Sequence, residues 1–156
     1  MRVCALATAA VGLLIAVSTL QSVAQEGKDD LVKQELKKFQ GTWTVAALEE
    51  NGQKIPEDKL KEAGLKVTIK GNSFVYKVGD KTVVEGTFTI DPSKNPKQLD
   101  SEGMNPGGKK EKTIGIYRFE ANTLVICFAP DGKERPTDFK APADSGRILE
   151  TLRRDK

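Results

Sequence analysis

From residue 65 onward, hydrophobic residues recur at every second position, the spacing that places them on one face of a strand. Turn signals such as Gly71-Asn72 and Pro130-Asp131-Gly132 separate these runs. One run is weaker than the rest, because Pro136 lacks the backbone donor that a strand uses. The predicted strands are residues 65–70, 74–78, 84–90, 98–101, 113–119, 123–129, the weak 135–140, and 148–154.

The chain ahead of residue 65 contains helical spacing and one further strand. Val32, Leu36 and Phe39 share one face of a helix that Asp29 or Asp30 can cap. After Gly41 the period changes to two, and the strand that follows ends near the turn signal 50–52. Its inward face is predicted to hold Trp43, Val45 and Ala47. A short second helix is predicted from Pro56 to its terminator Gly64.

Short strands joined by tight turns, after a single helix, are typical of an antiparallel meander. We therefore predict a mainly β fold, an antiparallel up-and-down β-barrel of about eight strands with an N-terminal helix. A two-sheet sandwich is the alternative. Residues 102–112, which contain Asn105-Pro106-Gly107-Gly108, form the longest predicted loop and are expected to be mobile.

The first residues resemble an export signal. Met1-Arg2 is basic, residues 3–20 are apolar or small, and Ser22-Val23-Ala24 offers a cleavage site before Gln25. We predict a signal peptide at 1–24, a polar leader at 25–28, a barrel domain at 29–156, and a periplasmic or extracellular location. An uncleaved anchor is the alternative, and it is the only membrane contact that we expect.

Charge and cysteine content exclude several classes of protein. The net charge of +3 comes from scattered residues, and the densest basic stretch, 109–112, is interrupted by Glu111. That stretch reads as a solvated loop, so we expect no nucleic-acid partner. Removal of residues 1–24 takes Cys4 with it and leaves only Cys127, so an internal disulfide is excluded.

A barrel of this kind closes where its first and last strands meet. In that arrangement an arginine at the end of the last strand stacks on Trp43, and Gly41 lets the helix approach closely. Gly41-Thr42-Trp43 with a terminal arginine resembles the signature of lipocalin and calycin barrels. The resemblance implies that Arg153 or Arg154 is the stacking residue, and parity with Leu152 favours Arg154. The chain has neither the Thr-Asp-Tyr segment nor the disulfide that many lipocalins carry.

The chain also resembles a family of small secreted proteins abundant in planctomycete bacteria. The matching segments are 39–43 (FQGTW), 87–97 (TFTIDPSKNPK), 115–117 (GIY) and 124–137 (LVICFAPDGKERPT). They extend over most of the predicted domain. The resemblance implies the barrel fold and export, and it names no ligand.

Catalytic chemistry has little support in this composition. The chain contains no histidine, which removes the commonest general base and metal ligand. Cys127 lies in an apolar strand and is predicted to be an inert core residue. Asp91, Asp100 and Glu102 are a weak candidate for a calcium site, so we predict no metal and no cofactor.

Two further polar residues leave alternatives open. Arg135 either positions its own loop or binds an anion at the rim of the barrel. Glu150 shares parity with Ile148 and Leu152, so it can point inward, where it needs a basic or hydroxyl partner.

Three functions remain at this stage. The first is a non-catalytic exported barrel that binds a small apolar or amphipathic ligand, lined by Phe74, Tyr76, Phe88, Ile116 and Phe128. The second is an exported protein-binding module, such as a protease inhibitor or adaptor, that uses the leader 25–28. An enzyme with acids at the rim ranks last.

Overall fold

The computed structural model describes residues 16–156, with side chains described from residue 27 onward. The two helices are α1 (Ala16–Phe39) and α2 (Glu57–Ala63). The strands are β1 (Gly41–Glu50), β2 (Gln53–Lys54), β3 (Leu65–Lys70), β4 (Ser73–Val78), β5 (Lys81–Asp91), β6 (Lys97–Met104), β7 (Lys110–Glu120), β8 (Thr123–Pro130) and β9 (Ile148–Arg154).

Eight of these strands form a closed antiparallel barrel, which confirms the predicted fold. Strands β3 to β9 pair in sequence order, β1 pairs with β3, and β1 also pairs with β9 to close the barrel. The short β2 adds only to the far end of β1. One face of each of the eight barrel strands is therefore enclosed, which is why a period of two runs through most of the sequence.

The end of the barrel beneath α1 is closed by aromatic rings. Phe39, the last residue of α1, is fully buried, and its ring centroid lies 5.0 to 5.2 Å from those of Phe88, Tyr117 and Phe119. Trp43 lies beside this cluster, is 1% exposed, and donates its indole N–H to the carbonyl of Phe39 over 2.8 Å. We call this end of the molecule the closed end.

The closure contact involves Arg154. Trp43 and Arg154 are direct partners in the β1–β9 register, and the guanidinium carbon lies 4.0 Å from the centroid of the indole. The same guanidinium donates to the carbonyls of Lys38 and Gln40, where α1 ends. Arg153 is exposed and pairs with Thr44, which excludes it from this contact.

Gly41 was predicted to let the helix approach closely, and in the structure it also makes room for the Arg154 side chain. Its φ of 116° is unfavourable for residues with a side chain, and a Cβ at this position would lie 3.3 Å from Nη1 of Arg154. The glycine thus makes room for the arginine as well as for the turn out of α1.

The predicted inward face of β1 is wrong after Val45. The β1–β9 register shifts between Val45 and Ala47, so a bulge moves the following residues to the opposite face. As a result Ala47 is exposed, and Leu48 faces the barrel interior in its place.

One predicted loop and one predicted strand are also wrong. Most of residues 102–112 belongs to β6 and β7, which leaves only a five-residue turn at 105–109. Residues 135–140 form no strand and lie within the long β8–β9 connection, residues 131–147. That connection covers the outside of the barrel, where Arg135 makes two bonds to Asp100 and one to the carbonyl of Gly115.

The N-terminal helix is longer than predicted. Among the described residues it extends from Ala16 to Phe39, so the predicted polar leader 25–28 lies within α1 and Asp29 is not its first residue. Of the predicted signal peptide, residues 1–15 lie outside the described part of the chain, and 16–24 belong to α1. Among the described residues, no helix combines the length and the apolarity that crossing a membrane requires.

Candidate functional site

The interior of the barrel contains a cavity of about 350 Å³ that lies between the closed end and the opposite rim and is partly open to solvent. Its walls are mainly aliphatic and aromatic side chains of β1, β3, β4, β5, β8 and β9. Around the half nearer the rim lie Leu48, Leu65, Val84, Ile126 and Ile148. The rim itself is formed by the connections 51–64, 79–80, 105–109 and 131–147, opposite Trp43.

Four of the five predicted lining residues do line this cavity, namely Phe74, Tyr76, Phe88 and Phe128. Ile116 does not. Its neighbour Tyr117 belongs to the interior cluster, and residues alternate along a strand, so Ile116 faces outward. It pairs with Cys127 and is buried, in an outer layer that the connection 131–147 covers.

Phe74 reaches into the interior because two glycines lie opposite it. Gly86 is its partner on β5, and Gly86 in turn pairs with Gly103 on β6. A Cβ on Gly86 would lie 2.1 Å from the carbonyl oxygen of Glu102, and one on Gly103 would lie 2.9 Å from Val84. The two strands therefore approach too closely for side chains, and this wall stays open for an aromatic ring.

One carboxyl group lies in the apolar wall. Glu150 on β9 is 4% exposed and has Leu48 and Ile126 as its partners on the adjacent strands. The hydroxyl of Tyr76 donates to its Oε2 over 2.7 Å. This confirms that Glu150 points inward and takes a hydroxyl partner.

The surroundings of Glu150 favour its neutral form. Burial raises the pKa of this carboxyl to about 7, although the hydrogen bond from Tyr76 acts in the opposite direction. Burial, together with the nearby Glu150 carboxyl, likewise raises the pKa of the Tyr76 hydroxyl. Tyr76 is therefore a permanent donor near neutral pH, while Glu150 can change its charge there.

The remaining polar groups of the cavity lie toward β6 and β7. The hydroxyls of Ser101 and Thr113 lie 2.8 Å apart. Glu111 is exposed at the rim and pairs with Lys109 over 2.6 Å. Among the described residues that line the cavity, Glu111 and Glu150 are the charged ones, and neither arginine nor lysine is present.

The other candidate polar residues have structural partners. Asp100 binds Arg135, and Asp91 accepts from the backbone and hydroxyl of Ser93. Within the described residues, no group of acids, cysteines or histidines is arranged to hold a metal ion. Arg135 bonds to Asp100 and to the carbonyl of Gly115, which fixes its loop against the outside of β6 and β7.

Cys127 lies in the outer layer and is fully buried. Its Sγ lies 3.4 Å from the carbonyl of Lys140, and burial raises the pKa of the thiol. A raised pKa keeps the thiol protonated and poorly nucleophilic.

Sequence reasoning missed Leu48 because the bulge in β1 leaves no mark in the alternation of residue types. The lining residue Leu65 begins a predicted inward face, so its position was available from the pattern. The partnership of Tyr76 with Glu150 joins residues 74 positions apart, and it depends on the closed register of the barrel.

Comparison of the chain with protein-family models and with curated proteins gave no significant match. The resemblance to lipocalins and to planctomycete secreted proteins therefore stays a prediction from the motifs.

Proposed function

We propose that this protein is a non-catalytic, exported barrel that holds a small apolar or amphipathic molecule in its interior. The observation that carries the proposal is the apolar cavity of about 350 Å³. Pockets for small ligands commonly begin near 300 Å³ and combine apolar walls with a few polar groups. Here the polar groups are Glu150 and Tyr76.

The cavity differs from an ordinary protein interior. Cores are packed as densely as organic crystals, with few voids larger than a water molecule. An apolar void of this size leaves the faces of Phe74, Val84 and Phe128 without partner atoms on one side. A ligand would supply those contacts, and apolar cavities are known to take up apolar guests.

Support for export comes from the sequence. The basic start, the apolar residues 3–20 and the small residues 22–24 have the order of a signal peptide. A chain without histidine and with a thiol protonated by burial has little means for nucleophilic catalysis, which supports the non-catalytic proposal.

Titration of the full protein with the neutral dye N-phenyl-1-naphthylamine tests the cavity. We expect saturable binding with blue-shifted, enhanced emission. Val84→Phe fills the cavity from β5 and should weaken binding at least tenfold. Val75→Phe makes the same change on the neighbouring strand β4, on the outer face beside Glu85, and should leave binding within about twofold.

Thermal melts of both variants establish that each one folds. Absence of saturable binding by the wild-type protein would remove the proposal and favour the protein-binding alternative. Equal loss of binding in both folded variants would place the dye on the outer surface instead.

A further inference from the structure

Glu150 is an unusual group for an apolar wall. Its exposure to solvent is only 4%. On β9 it shares the inward face with Ile148 and Leu152. The Tyr76 hydroxyl is the one hydrogen-bond donor that the described part of the chain gives to this carboxyl. Buried carboxylates are ordinarily paired with a cation or with several donors.

Tyr76 fixes the direction in which the carboxyl can act. Its hydroxyl binds Oε2, so Oε1 is the acceptor that a bound molecule can use. The side chain lines the cavity rather than the outer face, because β9 places Leu149 and Thr151 on the opposite side.

The charged groups around the cavity have one sign. Glu150 lies inside and Glu111 lies at the rim, and no basic residue is among the described lining residues. A ligand carboxylate would meet like charge with no cation to offset it. A ligand ammonium would meet one acid as it enters the rim and a second one inside.

We propose that the ligand is an apolar amine, whose ammonium group binds Oε1 of Glu150 while its hydrocarbon body fills the cavity. This inference rests on the proposed function and adds the chemical class of the ligand. An ammonium supplies the cation that the carboxyl lacks, and the resulting charge-assisted hydrogen bond is stronger than a neutral one. Tyr76 acts as a positioning residue, since it holds the carboxyl in place through Oε2.

The ionisation of Glu150 supports the same assignment. An alkyl ammonium stays protonated well above neutral pH, whereas the pKa of Glu150 in the empty barrel is about 7. Amine affinity should therefore increase by about tenfold from pH 6 to pH 8, as the carboxyl loses its proton. The other titratable groups near Glu150 on its own and adjoining elements are Tyr76 and Lys77 on β4, Glu49 and Glu50 on β1, Cys127 on β8, Arg153 on β9, and Glu111 across the cavity on β7.

Lys77 and Cys127 lie on outward faces, because their strand neighbours Tyr76, Ile126 and Phe128 line the cavity. Glu49 is the partner of Leu149 and so also faces away from Glu150. Glu111 is exposed at the rim and paired with Lys109, so it lies outside the apolar wall that holds Glu150. The change in amine affinity between pH 6 and pH 8 is therefore assigned to Glu150.

Displacement of N-phenyl-1-naphthylamine by three ligands of equal chain length tests the inference on the full protein. These are decylamine, decanol and decanoate at pH 8. We expect decylamine to bind at least tenfold more tightly than decanol, and decanoate to bind most weakly. Glu150→Gln keeps the shape and removes the charge, so it should abolish the advantage of the amine and leave decanol within about twofold.

Glu85→Gln is the matched control, because it removes an exposed acid from the outer face of β5 and should leave decylamine affinity within about twofold. The emission of buried Trp43 reports whether each variant is folded. Tyr76→Phe should weaken decylamine binding while leaving decanol unchanged.

The outcomes separate the two proposals. If the dye and all three ligands fail to bind, the proposed function fails. If decanol and decanoate bind as well as decylamine, or if folded Glu150→Gln still prefers the amine, the cavity binds apolar molecules and the amine inference alone is overturned.

Discussion

The barrel buries one glutamate near each end, and the two carboxyls have opposite surroundings. Glu35 of α1 lies at the closed end and pairs with Lys38 over 2.8 Å and with Lys97. Glu150 faces the cavity and has only the Tyr76 hydroxyl among the described donors. Burial acts to raise the pKa of both groups, yet the two lysines outweigh it at Glu35, whose pKa is lowered, whereas that of Glu150 is raised to about 7.

The difference extends to the packing around each group. At the closed end, five aromatic rings pack against one another and the Arg154 guanidinium stacks on one of them. In the other half the walls are apolar and a void remains. Our proposal assigns fold stability to the closed end and binding to the cavity, because Glu150 faces the cavity with Tyr76 as its one described hydrogen-bond donor.

The largest expected effect concerns the closed end. Trp43→Ala removes a fully buried indole, its bond to Phe39 and the surface on which Arg154 stacks. We expect a loss of about 3 to 5 kcal/mol in the free energy of unfolding, measured by urea denaturation. Val84→Ala, in the wall of the cavity, should cost clearly less, because its side chain already lacks neighbours on one side. Equal losses would contradict the contrast between the two ends.

The second effect is a dependence of stability on pH with opposite sign at the two glutamates. The folded pKa of Glu150 is raised, so its contribution is fully present below the unfolded pKa near 4.3 and is lost as pH rises through about 7. Glu150→Gln should therefore gain up to about 3 kcal/mol relative to wild type between pH 4 and pH 8. Denaturation curves at both values of pH measure this difference.

Glu35→Gln is the matched control at the other end. The pKa of Glu35 is lowered, so its stabilisation is present above the unfolded pKa and is lost as pH falls through the folded pKa. This variant should be less stable than wild type at pH 7, by about 1 to 2 kcal/mol, and should approach it at pH 3. A gain in stability at neutral pH for Glu35→Gln would refute the assigned role of its lysines.

A smaller effect separates the two terminal arginines. Arg154→Lys loses the planar group that spans the indole and two carbonyls, and we expect a cost of about 1 to 2 kcal/mol. Arg153→Lys changes an exposed residue on the opposite face and should cost less than about 0.5 kcal/mol. Thermal unfolding of the two variants tests whether Arg154, rather than Arg153, stabilises the fold by stacking on Trp43.

The features that the sequence predicted correctly depend on residues close together in the chain or on short motifs. Alternation in β3 to β5 and the tight turns determined the barrel, and a glycine before Trp43 with an arginine near the C-terminus determined its closure. Glu150 followed from parity alone. In each case the residue types within a strand indicate which of its faces points inward, because the inward and outward faces meet different surroundings.

The errors come from longer-range causes. The bulge after Val45 inverted the parity of β1, and the covering connection 131–147 made an outward face apolar. Ile116 was therefore assigned to the interior on hydrophobicity, although strand alternation with Tyr117 places it outside. The sequence cannot predict such an outer layer, because its burial depends on where the covering connection packs in the fold.

The smallest effect tests that outer layer at Cys127. The thiol is fully buried under the connection 131–147, and burial raises its pKa, so native protein at pH 8 should react with 5,5′-dithiobis(2-nitrobenzoate) far more slowly than protein in urea. Arg135→Gln removes the bonds to Asp100 and Gly115 that anchor the connection, and it should speed labelling by about threefold to tenfold through local opening. Glu134→Gln, at the exposed neighbouring position, should leave the rate unchanged. Rapid labelling of the native wild-type protein would show that the outer layer opens freely, and the contrast would then be between the interior of the barrel and its covering rather than between its two ends.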